Sequence, residues 1–318
     1  MKAIVLKEIG SSDNFFVTEV PTPVTTENSV QIEVKAIGIN PVDAFVRSNA
    51  EALAHYVHPT EGDPLILGWD VSGVVTETGA AVTAFAAGDE VFGMIKFPGQ
   101  GKAYAQYIVA PENHITLKPN HITHQEAAAA TLAALTAWQS LVTYGKVNAG
   151  DKVLIHAAAG GVGHYAVQIA KHLGAYVIGT ASEANRDFVI ALGADEFIDY
   201  HEQTFEEVVK DADMILDSVE HSPKHITRSL QALKQGGRLI SLLAPVDGAF
   251  QEKAQAKGVY AHQLGVESNG DDMRAIAELL KSGSIRSHVS AVFPFEEMAQ
   301  AHQQIETGKT RGKIVVSM

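Results

Sequence analysis

Cysteine does not occur anywhere in the 318 residues of this chain. Its absence excludes disulfide bonds, cysteine nucleophiles and every zinc site that needs a thiolate ligand. Long apolar runs are missing too. The most apolar stretch, residues 127–138, is Ala-rich and well below the ~18–20 apolar residues of a membrane-spanning helix. The first residues also lack the basic segment and apolar core of a signal peptide. These absences predict a soluble cytoplasmic protein with no membrane partner.

Basic residues are fewer than acidic ones. Lys and Arg number 24 and Asp and Glu number 37, which gives a formal net charge of −13. A negative surface repels phosphate backbones, so we expect no nucleic-acid partner. Hydrophobic residues make up 46% of the chain, which is enough material for packed cores. At about 150 residues per domain, the length suggests two domains.

The first third of the chain has the pattern of a β-rich domain. Residues 30–36 alternate strictly between apolar and polar side chains, which is typical of a half-buried strand. Further short strand candidates lie at residues 3–6, 71–76, 90–92 and 107–109. Frequent Gly and Pro residues separate these segments and indicate a small barrel-like domain. The pattern changes near Pro111 and Pro119, which predicts a domain boundary close to residue 120.

Beyond residue 150, strand and helix patterns alternate. The strand candidates are residues 152–155, 176–178, 196–198, 214–216, 238–240 and 259–266. Apolar stripes at helical spacing separate most of them, as at Val162, Ala166 and Ile169. This alternation predicts a parallel sheet with helices on both faces. One more helix near Met298 and a terminal strand over residues 312–316 end the chain.

The sharpest local signal is the segment AAAGGVG at residues 157–163, which lies between one apolar strand and one amphipathic helix. A pyrophosphate must approach the backbone closely, and it gains from free N–H groups at a helix N-terminus. Two registers fit the dinucleotide-binding pattern. One is Gly161-x-Gly163-x-x-Ala166, and the other is Ala158-x-Gly160-x-x-Gly163 with its first glycine replaced. The context favours a dinucleotide site over a turn without a ligand.

The end of the second strand candidate of this region bears on the choice of nucleotide. NAD sites usually place an acid there to bind the ribose hydroxyls. This chain has no acid at that point, whereas Ser182 and Arg186 can bind a 2′-phosphate. Glu183 could instead serve a ribose, although a solvated position in the first turn of a helix is the simpler interpretation. The sequence therefore predicts NADPH rather than NADH.

Several short motifs occur in a fixed order along the chain. They are GINPVD (38–43), GWDVSGVV (68–75), GDEVFG (88–93), LTAW (135–138), AAAGGVG (157–163), LGAD (192–195), GGR (236–238) and GKIV (312–315). Taken together, they resemble the zinc-independent branch of the medium-chain dehydrogenase/reductase superfamily, the quinone oxidoreductase and enone reductase group. The resemblance covers essentially the whole chain.

The resemblance implies an α/β fold in which a Rossmann domain, a doubly wound parallel sheet, is inserted into a GroES-like β-rich catalytic domain. Residues 1–120 and 289–318 would form the catalytic domain and residues 121–288 the dinucleotide-binding domain. The nicotinamide would lie in the cleft between them. The residues implied to bind the cofactor are Asn40, Thr131, Gly160, Gly161, Val162, Gly163, Ser182, Arg186, Tyr200 and Leu243.

Each implied role has a plainer alternative. Asn40 would lie near the nicotinamide or substrate, but it could simply form a turn with Pro41. Thr131 would lie close to the cofactor, or it could be an ordinary helix residue. Tyr200 would help Ser182 and Arg186 to surround the 2′-phosphate, or it could merely end a strand. Leu243 would flank the nicotinamide, or it could be a core residue.

Departures from the relatives concern metal ligands and one aromatic position. Zinc-dependent relatives have a cysteine near the position of Asn40 and a His-Glu pair at the positions of Trp69 and Asp70. These ligands are missing, so we expect no metal and no Lewis acid for an alcohol. Some quinone oxidoreductases have a tyrosine where this chain has Phe45, which would line an apolar substrate pocket or pack in the core. We expect Asp43 to have a structural hydrogen-bonding role rather than that of a general acid.

Histidines are numerous, and 14 occur in the chain. The closest pairs are His55/His58, His121/His124 and His221/His225, and none has the His-Glu-x-x-His spacing of a zinc site. We expect scattered, solvated side chains.

The predicted activity is hydride transfer from NADPH to a quinone or an α,β-unsaturated carbonyl, without a metal. Two alternatives remain at this point: a reductase of another carbonyl substrate, and a non-catalytic NADPH-binding sensor. A homodimer is expected, because the strand candidate at residues 259–266 could form a sheet edge that pairs with its counterpart.

Overall fold

The computed structural model describes residues 1–318 and divides them into two units. The first unit combines Met1–Leu135 with Val266–Met318, and the second is Thr136–Gly265. None of the helices has the length and apolarity that crossing a bilayer requires.

The strands are β1 (Lys2–Leu6), β2 (Phe15–Glu19), β3 (Ser29–Ile39), β4 (Asp70–Thr78), β5 (Glu90–Met94), β6 (Tyr107–Pro111), β7 (Ile115–Leu117), β8 (Lys152–Ile155), β9 (Tyr176–Ala181), β10 (Glu196–Asp199), β11 (Ala212–Asp217), β12 (Leu233–Ser241), β13 (Tyr260–Gln263), β14 (Val289–Pro294) and β15 (Lys313–Ser317). The α-helices are α1 (Pro41–Ser48), α2 (Ala50–Tyr56), α3 (His124–Ala129), α4 (Leu132–Trp138), α5 (Gly161–His172), α6 (Arg186–Ala191), α7 (Phe205–Val208), α8 (Pro223–Ala232), α9 (Gly248–Ala256), α10 (Gly270–Ser282) and α11 (Met298–Glu306). A π-helical segment covers Gln139–Tyr144.

Strand β3 is central to the sheet of the first unit, and it pairs antiparallel with β4, β6 and β15. The alternation predicted for residues 30–36 is confirmed, since every second side chain there is buried. The main path of the sheet runs β14-β15-β3-β4-β5-β7. Because β14 and β15 come from the end of the chain, the last residues complete a sheet that begins near its start.

The second unit contains a six-stranded sheet of order β10-β9-β8-β11-β12-β13 in which all pairs are parallel. All six predicted strands are present. Their apolar side chains, such as Leu154, Ile215 and Leu239, form the core of this unit. The winding direction reverses between the neighbours β8 and β11. Ligands of such sheets bind at the carboxyl ends of the strands near this reversal.

The division of the chain differs from the predicted boundaries at 120/121 and 288/289. Helices α3 and α10 belong to the first unit, not the second. Near α3, Ser287 Oγ donates to the Glu126 carbonyl (2.7 Å). Just before α10, Ser268 Oγ accepts from the Phe97 N–H (2.8 Å). Both contacts join segments distant in sequence, so they leave no local pattern from which the boundaries could be predicted.

Candidate active site

The loop between β8 and α5 is shaped by the close packing of its glycines. A Cβ at Gly163 would lie 2.1 Å from the Ala157 carbonyl oxygen and 2.7 Å from the Ala158 Cα, so only glycine fits there. This is the role of the third glycine of a dinucleotide-binding loop, which allows helix and strand to pack closely. The packing therefore favours the register Ala158-x-Gly160-x-x-Gly163.

The start of α5 has the features of an anion site. Gly160 is the N-cap residue, no side chain caps the helix, and its first turn contains no acidic residue. A Cβ at Gly160 would meet only the Ala157 carbonyl oxygen, at 3.2 Å, so its outer side is open. Gly161 and Val162, in the first turn, are half-buried. Free N–H groups and an open backbone are what a pyrophosphate requires, so the loop fits a dinucleotide.

At the ends of β9 and β10, the predicted 2′-phosphate residues lie close together. The Tyr200 N–H donates to the Ala181 carbonyl (3.3 Å), which brings Tyr200 next to Ser182. The side chain of Tyr200 is 57% exposed. Arg186 lies with its guanidinium 4.4 Å from the centre of the Phe197 ring. The structure thus collects Ser182, Arg186 and Tyr200 at one edge of the sheet.

Glu183 has a role that sequence reasoning missed. Arg186 donates to both of its carboxylate oxygens, at 2.7 and 2.8 Å. This pairing lowers the pKa of Glu183 and raises that of Arg186. Because both side chains are exposed, the pair contributes little to stability. The pair instead orients the guanidinium. Two of the guanidinium N–H groups bond to Glu183, and the others remain for another acceptor.

Leu243 follows β12 at the same carboxyl edge of the sheet, and its side chain is half-buried. The loop that carries it is held by two hydrogen bonds. The Leu242 N–H donates to the Asp217 carbonyl (2.9 Å), and Ser241 Oγ donates to the Ala244 carbonyl (2.7 Å). Leu243 is therefore not a fully buried core residue, and it lies where ligands of parallel sheets bind.

In the first unit, Asn40 belongs to a buried polar cluster. It is the N-cap residue of α1, with Pro41 as the first helical residue, so the pair starts a helix and does not form a simple turn. Asn40 Nδ2 donates to Asp70 Oδ2 (2.8 Å), and Lys313 Nζ donates to Asn40 Oδ1. Since Lys313 only donates and an ionised Asp70 only accepts, these partners fix the orientation of the amide.

Asp70 and Lys313 are the charged members of this cluster. Asp70 Oδ1 accepts from the Leu132 N–H (3.0 Å), and Lys313 Nζ lies 3.9 Å from Asp70 Oδ2. Lys313 also donates to the Ile39 carbonyl (2.9 Å). Burial raises the pKa of Asp70 and lowers that of Lys313, while each charge opposes the shift of the other.

Thr131 lies in the bend between α3 and α4, not inside a helix, and it is fully buried. Its Oγ1 donates to the Ala128 carbonyl (2.8 Å). The Thr131 side chain also acts to lower the pKa of Asp70, against the effect of burial. Thr131 therefore belongs to the cluster around Asn40 and Asp70.

Asp43 supports Asn40 from within α1. Its Oδ2 accepts from the Asn40 N–H (2.7 Å), whereas its Oδ1 is buried without a hydrogen-bond partner. Burial and, after it, the negative charge of Asp70 raise the pKa of Asp43 to about 7. Because no part of Asp43 is exposed, it has the structural role expected from the sequence and cannot touch a substrate.

The raised pKa predicts a pH-dependent difference in stability between the wild type and Asp43→Asn. Between the ordinary carboxyl value of 3.8 and the folded value of about 7, the folded state holds a proton that the unfolded chain has lost. The contribution of Asp43 to stability therefore falls as the pH rises through this window. The amide does not titrate and keeps an oxygen for the Asn40 N–H. We expect the stability of Asp43→Asn relative to the wild type to increase with pH.

Urea unfolding of both proteins at several pH values from about 5 to about 8 measures this difference. If the unfolding free energy of Asp43→Asn relative to the wild type stays constant, or decreases as the pH rises, the raised pKa of Asp43 is contradicted.

Known proteins resemble the chain over its whole length. The family described as alcohol dehydrogenase GroES-like domain matches residues 26–120, and the one described as zinc-binding dehydrogenase matches residues 192–316. The mouse mitochondrial NAD(P)H oxidoreductase RTN4IP1 is 35% identical, over 92% of this chain and 82% of its own length.

Two further relatives extend this comparison. The chloroplastic NADPH-dependent alkenal/one oxidoreductase of Arabidopsis thaliana is 31% identical, over 99% of this chain and 79% of its own length. The quinone oxidoreductase structure from Coxiella burnetii superimposes with a TM-score of 0.91 at 35% identity, covering 100% of this chain and 99% of that one. The chain belongs to the quinone oxidoreductase and enone reductase group of the medium-chain dehydrogenase/reductase superfamily.

One matching family is described as zinc-binding, but this family member does not offer a suitable set of ligands at the positions that zinc-dependent relatives use. Trp69 has no lone pair to offer a metal, and its indole N–H donates to the Gly99 carbonyl (2.7 Å). The Asp70 oxygens already accept hydrogen bonds, and the Lys313 ammonium lies 3.9 Å away. A positive side chain among the donors opposes a second cation. The residues around Asn40 therefore do not fit a zinc ion.

Phe45 lies on α1 and is 45% exposed, so it is not a core residue in this protein.

The principal residue that sequence reasoning missed is Lys313. Its signal was the GKIV motif, but nothing in the motif indicates that Lys313 contacts Asn40, 273 positions earlier. Only the antiparallel pairing of β15 with β3 brings the two together.

Proposed function

We propose that this protein is an NADPH-dependent oxidoreductase that reduces quinones or α,β-unsaturated carbonyls without a metal. The observation that carries the proposal is the uncapped start of α5, with open backbone at Gly160 and close packing at Gly163. The names of the relatives, which include an NADPH-dependent alkenal/one oxidoreductase and a quinone oxidoreductase, support this class of reaction. The loop at the start of α5 binds the cofactor.

Bound NADPH supplies the hydride. The acceptor is already electrophilic, so orientation and exclusion of water are sufficient tasks for the protein. We assign these tasks to Asn40 and Phe45, with Leu243 flanking the nicotinamide, while Thr131, which is fully buried, lies in the cluster that supports Asn40. Lys313 and Asp70 hold the Asn40 amide still and leave it one N–H to donate. Phe45 contributes an apolar wall, and no residue is assigned as an acid or base.

The test of this function is NADPH oxidation with a panel of quinones, enones and saturated ketones. We expect turnover of at least one conjugated acceptor and none of the saturated ketones. Turnover of saturated ketones alone would favour a different carbonyl reductase. Binding of NADPH without any turnover would favour a sensor, and both results would overturn the proposal.

The proposed preference for NADPH predicts the effect of Arg186→Ala. A guanidinium that binds a 2′-phosphate contributes a charge-assisted hydrogen bond, so its loss weakens NADPH binding by roughly tenfold or more. NADH lacks this phosphate, and its affinity should be unchanged. Calorimetric titration with both cofactors measures the ratio. Arg274→Ala, which removes another exposed arginine paired to an acid three residues away, serves as the control. Equal losses for NADPH and NADH would contradict the assigned role.

We also propose a homodimer formed through β13. This strand is the last of the sheet in the second unit, so one of its edges has no strand partner within the chain. Tyr260 on this strand is 43% exposed. Unpaired edges readily add a strand from another chain. Sedimentation velocity on the wild type and on Ala261→Pro, which removes one backbone N–H of β13, would test the proposal. A wild-type monomer would contradict it.

A cytoplasmic location remains a prediction from the sequence. The names of two relatives include mitochondrial and chloroplastic locations. Cell fractionation with an antibody to the native chain distinguishes these compartments.

A further inference from the structure

Three side chains with metal-ligating atoms converge in the second unit. His156 directly follows β8, Asp217 ends β11, and His225 lies in the first turn of α8. One ligating atom from each lies within 4.8 Å of the others. The sequence predicts a solvated His225 near His221, but its side chain is only 13% exposed and contacts Asp217 instead.

The separations suit one small cation. In the structure, the shortest is 2.7 Å between His225 Nδ1 and Asp217 Oδ2, and the longest does not exceed 4.8 Å. Ligands of a tetrahedral zinc ion with bonds of about 2.0–2.1 Å lie roughly 3.4 Å apart, which falls within this range. Small rotations of the side chains would therefore bring all three atoms to a common centre.

Neighbouring hydroxyl groups complete the arrangement. His156 Nδ1 lies 3.1 Å from Thr180 Oγ1, which orients the ring with its Nε2 facing the centre. Zinc-binding histidines are usually held in this way through their second nitrogen. Ser229 Oγ lies 3.3 Å from His156 Nε2 and donates to Asp217 Oδ2 (2.7 Å). It occupies the place of a fourth, oxygen ligand.

The charge of Asp217 also favours a cation. This carboxylate is 1% exposed, and its hydrogen-bond partners are His225, Ser229 and, more weakly, the Val219 N–H. Arg228, which lies on α8 together with His225, donates both of its hydrogen bonds to Glu206 instead, at 2.6 and 2.9 Å. A buried carboxylate requires a positive partner.

We propose that His156, Asp217 and His225 bind one zinc ion, with Ser229 Oγ as a fourth ligand. Two imidazoles and a carboxylate are typical zinc ligands. The ion would replace the protons now shared between these side chains and would connect the ends of β8 and β11 to α8. The site shares no residue with the positions that zinc-dependent relatives use near Asn40. It lies at the carboxyl ends of β8 and β11, beside the proposed cofactor loop at residues 157–163, but its test does not use turnover.

The experiment is a titration of chelator-treated, tag-free protein with ZnCl₂ against a chromogenic chelator. We expect one ion per chain and a higher unfolding temperature with zinc, since a ligand of the folded state stabilises it. His225→Gln keeps a hydrogen-bonding side chain, and we expect it to bind zinc roughly 100-fold more weakly or not at all. His172→Gln, an exposed histidine of the same unit, is the matched control and should bind like the wild type.

Absence of zinc binding by the wild type would overturn the proposal, as would wild-type affinity in His225→Gln. If that variant fails to fold, the Co²⁺ spectrum of the wild type decides. The visible bands of a tetrahedral cobalt complex with nitrogen and oxygen ligands would support the site, and an octahedral spectrum like that of free Co²⁺ would refute it. Neither result depends on turnover, so failure of this proposal is distinguishable from failure of the proposed function.

Discussion

Gly163→Ala is expected to raise the dissociation constant of NADPH by about 100-fold or more, which corresponds to about 2.8 kcal/mol. The added methyl group would lie 2.1 Å from the Ala157 carbonyl oxygen. Backbone atoms cannot move aside as a flexible side chain can, so either the loop or α5 must shift. In both cases the N–H groups at the start of α5 leave the positions that a pyrophosphate requires.

The effect of Gly163→Ala on the stability of the protein is also informative, because Gly→Ala within a helix normally stabilises a protein by up to about 1 kcal/mol. We expect Gly163→Ala instead to lose about 1–3 kcal/mol of stability, the usual cost of overpacking. Such a loss would come from the collision of the added methyl group alone. Calorimetry measures NADPH binding, and urea unfolding measures stability.

Two other glycines provide controls. Gly248→Ala adds a methyl group at the first residue of α9, where nothing lies within 4 Å, and should change neither property. Gly160→Ala meets only one atom at 3.2 Å, so it should fold but occupy space needed by the pyrophosphate. NADPH affinity of the wild-type level in Gly163→Ala would contradict the proposed cofactor loop.

Lys313→Met is expected to destabilise the protein by about 3–5 kcal/mol, the typical effect of leaving a buried charge without its partner. Methionine fills a similar volume but cannot donate to Asn40 or neutralise Asp70. The exposed Lys281, which is paired with Glu278, provides the control, and Lys281→Met should cost less than about 1 kcal/mol.

The double variant Asp70→Asn, Lys313→Met separates stability from positioning. Removing both charges should recover about 2 kcal/mol relative to Lys313→Met, because no unpaired ion is left in the core. We expect the kcat of Lys313→Met to be low, because the Asn40 amide has lost the ammonium that fixes its Oδ1. The double variant lacks the same ammonium, so its kcat should stay equally low. Urea unfolding and NADPH oxidation with an accepted quinone give the two measurements. Recovery of kcat together with stability would show that Lys313 does not position Asn40.

Part of the fold was predictable because its causes are local. Strand β3 alternates apolar and polar residues because one of its faces is buried. The strands of the second unit are short apolar runs because helices cover both faces of a parallel sheet. The glycines at residues 160–163 were recognisable from their place between strand and helix. Their register was not, since it depends on the contact of Gly163 with the backbone of Ala157.

The unit boundaries and both polar clusters could not be predicted in this way. Lys313 contacts Asn40 through strand pairing over 273 positions, and His156 lies 69 positions from His225. The spacing of histidines instead paired His225 with His221, since neighbours in sequence were the only ones visible.

By itself, the sequence determined most of the strands and their order, the proposed dinucleotide-binding loop and the family, because each depends on residues within a few positions of one another. Strands β2, β7 and β14 were not predicted. Only the tertiary structure decided which loop register packs, which helices belong to which unit, and which charges share a buried site. These depend on contacts between distant segments, and their free energy comes from burial and pairing that no local pattern encodes.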